Sequence, residues 1–85
     1  MNRMPPPYRN EEDLPYLIRQ ELPEHAREIW MEAANSAWEQ YRDPESRRDP
    51  GESREEVTYK VAWAAVKQEY EKDESSGEWK RKEMG

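Results

Sequence analysis

"KVAWAAVKQEY", residues 60–70, is the most apolar stretch of a chain in which 40% of residues are charged. What it packs against decides the fold. Read as a helix at 100° per residue and extended one turn upstream, it is apolar on two sides. Tyr59, Ala62, Trp63, Val66 and Tyr70 cluster together, while Val57, Val61, Ala64 and Ala65 lie nearly opposite. Such a helix needs two burial partners. Its start is marked by "SREE", 53–56, a capping box in which the Ser53 hydroxyl accepts from the Glu56 N–H and the Glu56 side chain reaches back. The pattern predicts a helix over 54–71.

The first partner lies upstream. Ala26, Ile29, Trp30, Ala33, Ala34, Ala37, Trp38 and Tyr41 recur at helical spacing within half a circumference, predicting a helix over 23–42. Its alanine-rich face matches the small Val/Ala side of residues 54–71, and the Asp-Pro and Gly residues of 43–53 suit a solvated loop between an antiparallel pair. Further upstream, "DLPYLIRQEL" places Leu14, Leu17, Ile18 and Leu22 at helical spacing behind a capping Asp13 and an early Pro15, predicting a short helix over 14–22. Pro23 separates the two helices, because a proline disfavours helical geometry at the residue before it.

The aromatic side of residues 54–71 then needs cover from what remains. Tyr8 follows three prolines that forbid a helix, and Trp79 follows a Ser-Ser-Gly turn. The Tyr8 and Trp79 segments are expected to pair as short strands over it. The expected fold is mainly α with a small β element: one domain over 8–80, with 1–7 and 81–85 disordered. Its core is expected to hold Leu14, Ile18, Leu22, Ile29, Trp30, Ala33, Ala37 and Trp38 from the first two helices. From the third it takes Val61, Trp63, Ala64, Val66 and Tyr70. Asn35, off the main stripe and a poor helix former, is expected to hydrogen-bond across to the loop or tail.

At 85 residues with 33% apolar content, such a domain buries only about 60–65% of the surface its unfolded chain exposes. Four Trp and five Tyr, with no Phe, must supply most of the buried area. A net charge of −6 opposes binding to nucleic acid or to an anionic membrane. The absence of Cys excludes disulfides and thiolate metal sites. Val61–Val66 is the longest apolar run, far short of the roughly 20 residues of a spanning helix. "MNRMPPPY" lacks the apolar segment of a secretory signal, so a cytoplasmic location is expected.

In order along the chain, "DLP" (13–15), "LPEHA" (22–26), "NSAWEQY" (35–41), "RR" (47–48), "SREE" (53–56) and "KVAWAAVK" (60–67), with Tyr70 and Trp79 beyond, resemble the ChaB family of small bacterial proteins. The chain departs from the family pattern at Ala34, where an aromatic is common, and at Tyr59, where a His is common. The loop before Ser53 is slightly longer. The resemblance implies three helices with a small β element. Family members are named as cation transport regulators because their gene neighbours that of a cation/proton antiporter, ChaA; the resemblance supplies no site residues.

No motif states a reaction. His25 has no Cys or Gly-flanked Ser in the chain to work with, so we read it as a ring closing the junction between the first two helices. Asp43, Glu45, Asp49 and Glu52 share a loop, but their spacing fails the calcium-loop pattern, and Arg42, Arg47 and Arg48 compete with any cation. Trp30, Trp38 and Trp63 sit on stripes that the core requires. The remaining candidate is an interaction surface: Arg47, Arg48 and Arg54, with Trp79 and Lys80 of "WKRK" in the tail. The chain is therefore expected to be a monomeric binding protein, without cofactor or catalysis, that docks on a partner protein. The resemblance suggests an antiporter of ChaA type as that partner. The alternative is nucleic-acid binding through the same cations and Trp79.

Overall fold

The computed structural model describes residues 8–43, 45 and 51–82; residues 1–7, expected to be disordered, and Arg47, Arg48 and Asp49 lie outside them. A 3-10 turn, Glu11–Asp13, leads into α1 (Tyr16–Glu21), α2 (Glu24–Gln40), α3 (Arg54–Glu69) and a hairpin of β1 (Tyr70–Lys72) and β2 (Trp79–Arg81). Each helix is shorter than its sequence pattern predicts. Asp13 does not cap α1; its carboxylate accepts from the Arg9 N–H at 3.0 Å, and Pro15 stands at the N-cap, its carbonyl accepting from Ile18 and Arg19. Pro23 holds the equivalent place before α2 and leaves Leu22 extended, at ψ 137°. At α3 the Ser53 hydroxyl accepts from the Glu56 N–H at 3.1 Å.

Helices α2 and α3 run antiparallel: Arg54 at the start of α3 meets Trp38 near the end of α2, and Tyr70 past the end of α3 meets His25 at the start of α2. Between them Ala26, Trp30, Ala34, Ala62 and Val66 are sealed from solvent, with Leu14, Ile18 and Leu22 closing one end. Ala62 and Val66 belong to the aromatic side of α3, so that side meets α2, and not the Val/Ala side expected to. The reason is steric economy. Ala62 allows a close approach in the middle of the face, while Tyr59 and Trp63 flank it. Of the other side, Val57 is buried at the start of α3, Val61 and Ala65 are half-buried and Ala64 is exposed, which removes Ala64 from the expected core. Leu17 is likewise 67% exposed, because a six-residue helix turns only one narrow stripe, through Ile18, to the core. Ile29, Ala33 and Trp63 pack on the rim of the core, half-buried; Trp38 is half-buried beneath Arg54, and Ala37 is buried.

The strand expected at Tyr8 does not form. The partner of the Trp79 segment is Tyr70–Lys72, in the register Tyr70↔Arg81, Glu71↔Lys80 and Lys72↔Trp79. Tyr70 and Glu71 fall in the last turn of the helix predicted over 54–71, and Lys72 lies just beyond it. The helix stops at Glu69 because Tyr70 leaves it in extended geometry, at φ −126°, and buries its ring. Arg81 and Lys82, expected in a disordered tail, are ordered by this pairing, with the Lys82 N–H donating to the Glu69 carbonyl at 2.9 Å. Tyr8 makes a different bridge. Its N–H donates to Asn35 Oδ1 at 3.1 Å and its carbonyl accepts from Asn35 Nδ2 at 2.7 Å, so one side-chain amide pairs both backbone groups as a strand neighbour would. Asn35 thus holds the N-terminal segment, not the loop or tail.

Candidate interaction surface

The cations and tryptophan that suggested a surface are separated by α3. At its first residue, the Arg54 Nε and Nη2 donate to the Trp38 carbonyl at 2.9 and 2.7 Å, and the guanidinium lies 3.7 Å from the centre of the Trp38 ring. That carbonyl is one of the last in α2, with no partner inside its own helix, and the negative end of the helix dipole favours a cation there. Arg54 is therefore a structural staple, with two of its nitrogens and the face of its guanidinium engaged by Trp38. Arg47 and Arg48 lie outside the described residues.

At the other end of α3 the side chains remain available. The Trp79 ring lies against Trp63, with centroids 5.3 Å apart and a 34° tilt, and ends a continuous run of rings: Tyr8 to Trp30 at 5.5 Å, Trp30 to Tyr59 at 5.7 Å, and Tyr59 to Trp63 at 6.3 Å. These separations are those of attractive aromatic pairs. The run passes from half-buried Tyr8 through fully buried Trp30 and emerges at the surface, where Tyr59 is 47% exposed and Trp63 and Trp79 are half-buried. The two tryptophans, with Glu21, Lys67 and Lys72, line an open groove of about 450 Å³. Lys72 lies 3.9 Å from Glu21 and Lys80 lies 3.3 Å from Asp73, both pairs on the surface. At the inner end of the run, burial first and the neighbouring Tyr59 second push the Tyr8 phenol above its ordinary value of 10.0.

The hairpin that presents Trp79 is held by its turn. Asp73 Oδ1 accepts from the Ser75 N–H at 2.9 Å and the Ser75 hydroxyl at 2.6 Å, and Gly77 adopts φ +77°. Only a residue without Cβ does this without strain. The Ser75 hydroxyl, then its N–H, then Lys80 hold the Asp73 carboxyl well below the usual carboxylate range.

The other candidates fall elsewhere. His25 Nδ1 lies 3.0 Å from the Tyr70 hydroxyl, so the ring ties α2 to β1 and not α1 to α2. Among the described residues, no three His, Cys, Asp or Glu gather as a metal site. Glu52 pairs with Lys60. No helix among them is long and apolar enough to cross a membrane. Sequence reasoning missed Lys67 and Lys72 beside the tryptophans, because only pairing with β2 brings residue 72 to the groove. It also missed the exposed Tyr16–Leu17 corner of α1, which helical periodicity read as core.

Comparison with known proteins agrees with this architecture. A protein described as "Putative cation transport regulator ChaB" from Escherichia coli K12 is 53% identical over 76 residues, which cover 89% of this chain and 97% of that protein. The Shigella flexneri protein of the same name matches to the same extent. The solved structure described as "NMR solution structure of the putative cation transport regulator ChaB" superposes with a TM-score of 0.72 at 52% identity, covering 91% of this chain and all of that one. With the ChaB family model matching residues 14–82, the chain belongs to the ChaB family.

Proposed function

We propose that this protein is a non-enzymatic regulator that acts by contact with a cation transporter, an antiporter of ChaA type, from the cytoplasmic side and as a monomer. The observation that carries the reading is the groove floored by Trp63 and Trp79 and flanked by Lys67 and Lys72. Half-exposed tryptophans are a residue type that anchors protein interfaces. The names of the relatives supply the process, regulation of cation transport. Of the five residues expected to form the surface, Trp79 and Lys80 lie on this side, and the proposed surface is theirs together with Trp63, Lys67 and Lys72.

The test is functional. Purified protein is titrated onto everted membrane vesicles containing a ChaA-type antiporter, and cation-driven dissipation of the proton gradient is followed by a fluorescent pH probe. A saturable change in rate is expected, and a Lys67→Glu/Lys72→Glu variant should lose it. An unchanged rate at saturating protein overturns the proposal. The nucleic-acid alternative loses Arg54, whose guanidinium is engaged by Trp38, and faces a net charge of −6.

A further inference from the structure

The hairpin has an open edge, and its chemistry selects what can occupy it. The bonds from Lys82 N–H to the Glu69 carbonyl and from Asp73 N–H to the Glu78 carbonyl belong to the same register as the strand pairs. In an antiparallel ribbon, hydrogen-bonded and non-hydrogen-bonded pairs alternate. Glu71 and Lys80 are therefore the hydrogen-bonded pair, and the backbone N–H and C=O groups of Trp79 and Arg81 point away from β1. Among the described residues none of these four groups has a backbone partner. A row of outward donors and acceptors is a template for one more strand.

From this geometry we infer that the outer edge of Trp79–Arg81 takes an extended acidic segment of a partner protein as a third strand. The inference rests on the proposed binding role and names the chemistry of the partner. Charge complementarity commits the edge to that occupant. Within a chain of net charge −6, the edge strand and its next residue read Trp-Lys-Arg-Lys, and Lys67 and Lys72 stand at the adjoining groove. Carboxylates alternating along an incoming strand meet Lys80 and Lys82 on one face, while its other side chains fall on the face of Trp79 and Arg81. A second copy of this chain is disfavoured by the same residues. Antiparallel pairing of β2 with itself sets Lys80 against Lys80 and Arg81 beside Trp79, and like charges directly opposite are destabilising. The cations thus close the edge to self-association and leave it open to acid.

The experiment titrates the full-length, ¹⁵N-labelled chain with a synthetic peptide of alternating Glu and Val, and in parallel with its Lys/Val counterpart, at low and at physiological salt. The Glu/Val peptide is expected to shift the Trp79 and Arg81 amides and slow their hydrogen exchange by about tenfold or more, with binding that weakens as salt rises. The Lys/Val peptide should do neither. Arg81→Pro removes an outward N–H without removing a hairpin bond and should weaken binding by roughly fivefold beyond Arg81→Gln, which keeps the N–H and removes the charge. Preserved hairpin resonances in each variant show that it folds. No shift at millimolar peptide in low salt, shifts confined to other elements, or equal binding by Arg81→Pro and Arg81→Gln overturns the inference. Concentration-dependent protection of the same two amides without peptide also overturns it, in favour of a second copy. The vesicle assay separates the two proposals: an antiporter effect without peptide binding sinks the edge and keeps the regulator, and the reverse result does the opposite.

Discussion

The two ends of α3 carry similar residues and use them differently. At the first residue, Arg54 lies on Trp38 and is consumed by it, since its fork is satisfied by one α2 carbonyl and its face by the indole. Past the last residue, Trp79 lies on Trp63 and stays half-exposed, with Lys80 and Arg81 exposed beside it. The difference is backbone supply. The end of α2 offers Arg54 an unsatisfied carbonyl, whereas β2 meets only the three residues of β1 and leaves its outer edge unpaired. A cation next to an aromatic is thus a staple at one end and an accessible group at the other.

Substitutions can break this contrast, beginning with the largest effect. Tyr70, 6% exposed, anchors the hairpin end in the core, so Tyr70→Ala should cost about 3 kcal/mol in chemical denaturation and free β2. Tyr70→Phe, which loses only the His25 bond, should cost about 1 kcal/mol. At the other end, Arg54→Ala removes a charge-assisted donor and a ring contact, for about 2 kcal/mol, and Arg54→Lys should restore less than half because an ammonium lacks the fork. If Arg54→Ala leaves stability unchanged, Arg54 is not a staple and returns to the candidate surface. Gly77→Ala forces a Cβ into the left-handed region and should cost about 1 kcal/mol, although nothing lies within 4 Å of the added carbon.

The smallest expected effect is the dependence of the hairpin on pH. The Asp73 carboxyl titrates below its ordinary value of 3.8 when folded, so its contribution is complete above pH 3.8 and fades as pH falls below it toward the folded value. Protection of the Gly77 amide against exchange should fall in that acid range for the native chain and stay constant for Asp73→Asn. Lys80→Ala, by contrast, should leave the melting temperature unchanged, because its pair with Asp73 is solvent-exposed. A clear loss of stability there would mean that this end, too, is built from its charges.

Much of the architecture was legible in local pattern. The stripe through Ala26, Trp30 and Ala34 carries period 3.6 over four turns, Pro23 divides two helices by sterics alone, and Ser53 caps α3 through atoms three residues apart. Such signals are written in neighbouring residues. The Ser-Ser-Gly turn was also visible, yet its other strand was not: "YEK" is too short to show alternation, and its first two residues continue the helix predicted through residue 71. Tyr70 leaves that helix because burying its ring in the core outweighs one more helical turn. The same limit hid the split surface. That Arg54 is bound by a helix carbonyl while Trp79 and Lys80 stay accessible depends on which carbonyls and strand edges end up unpaired. The sequence by itself determined helices, caps and family; tertiary packing alone decided which side of α3 was buried, what paired with Trp79 and which cations were left facing solvent.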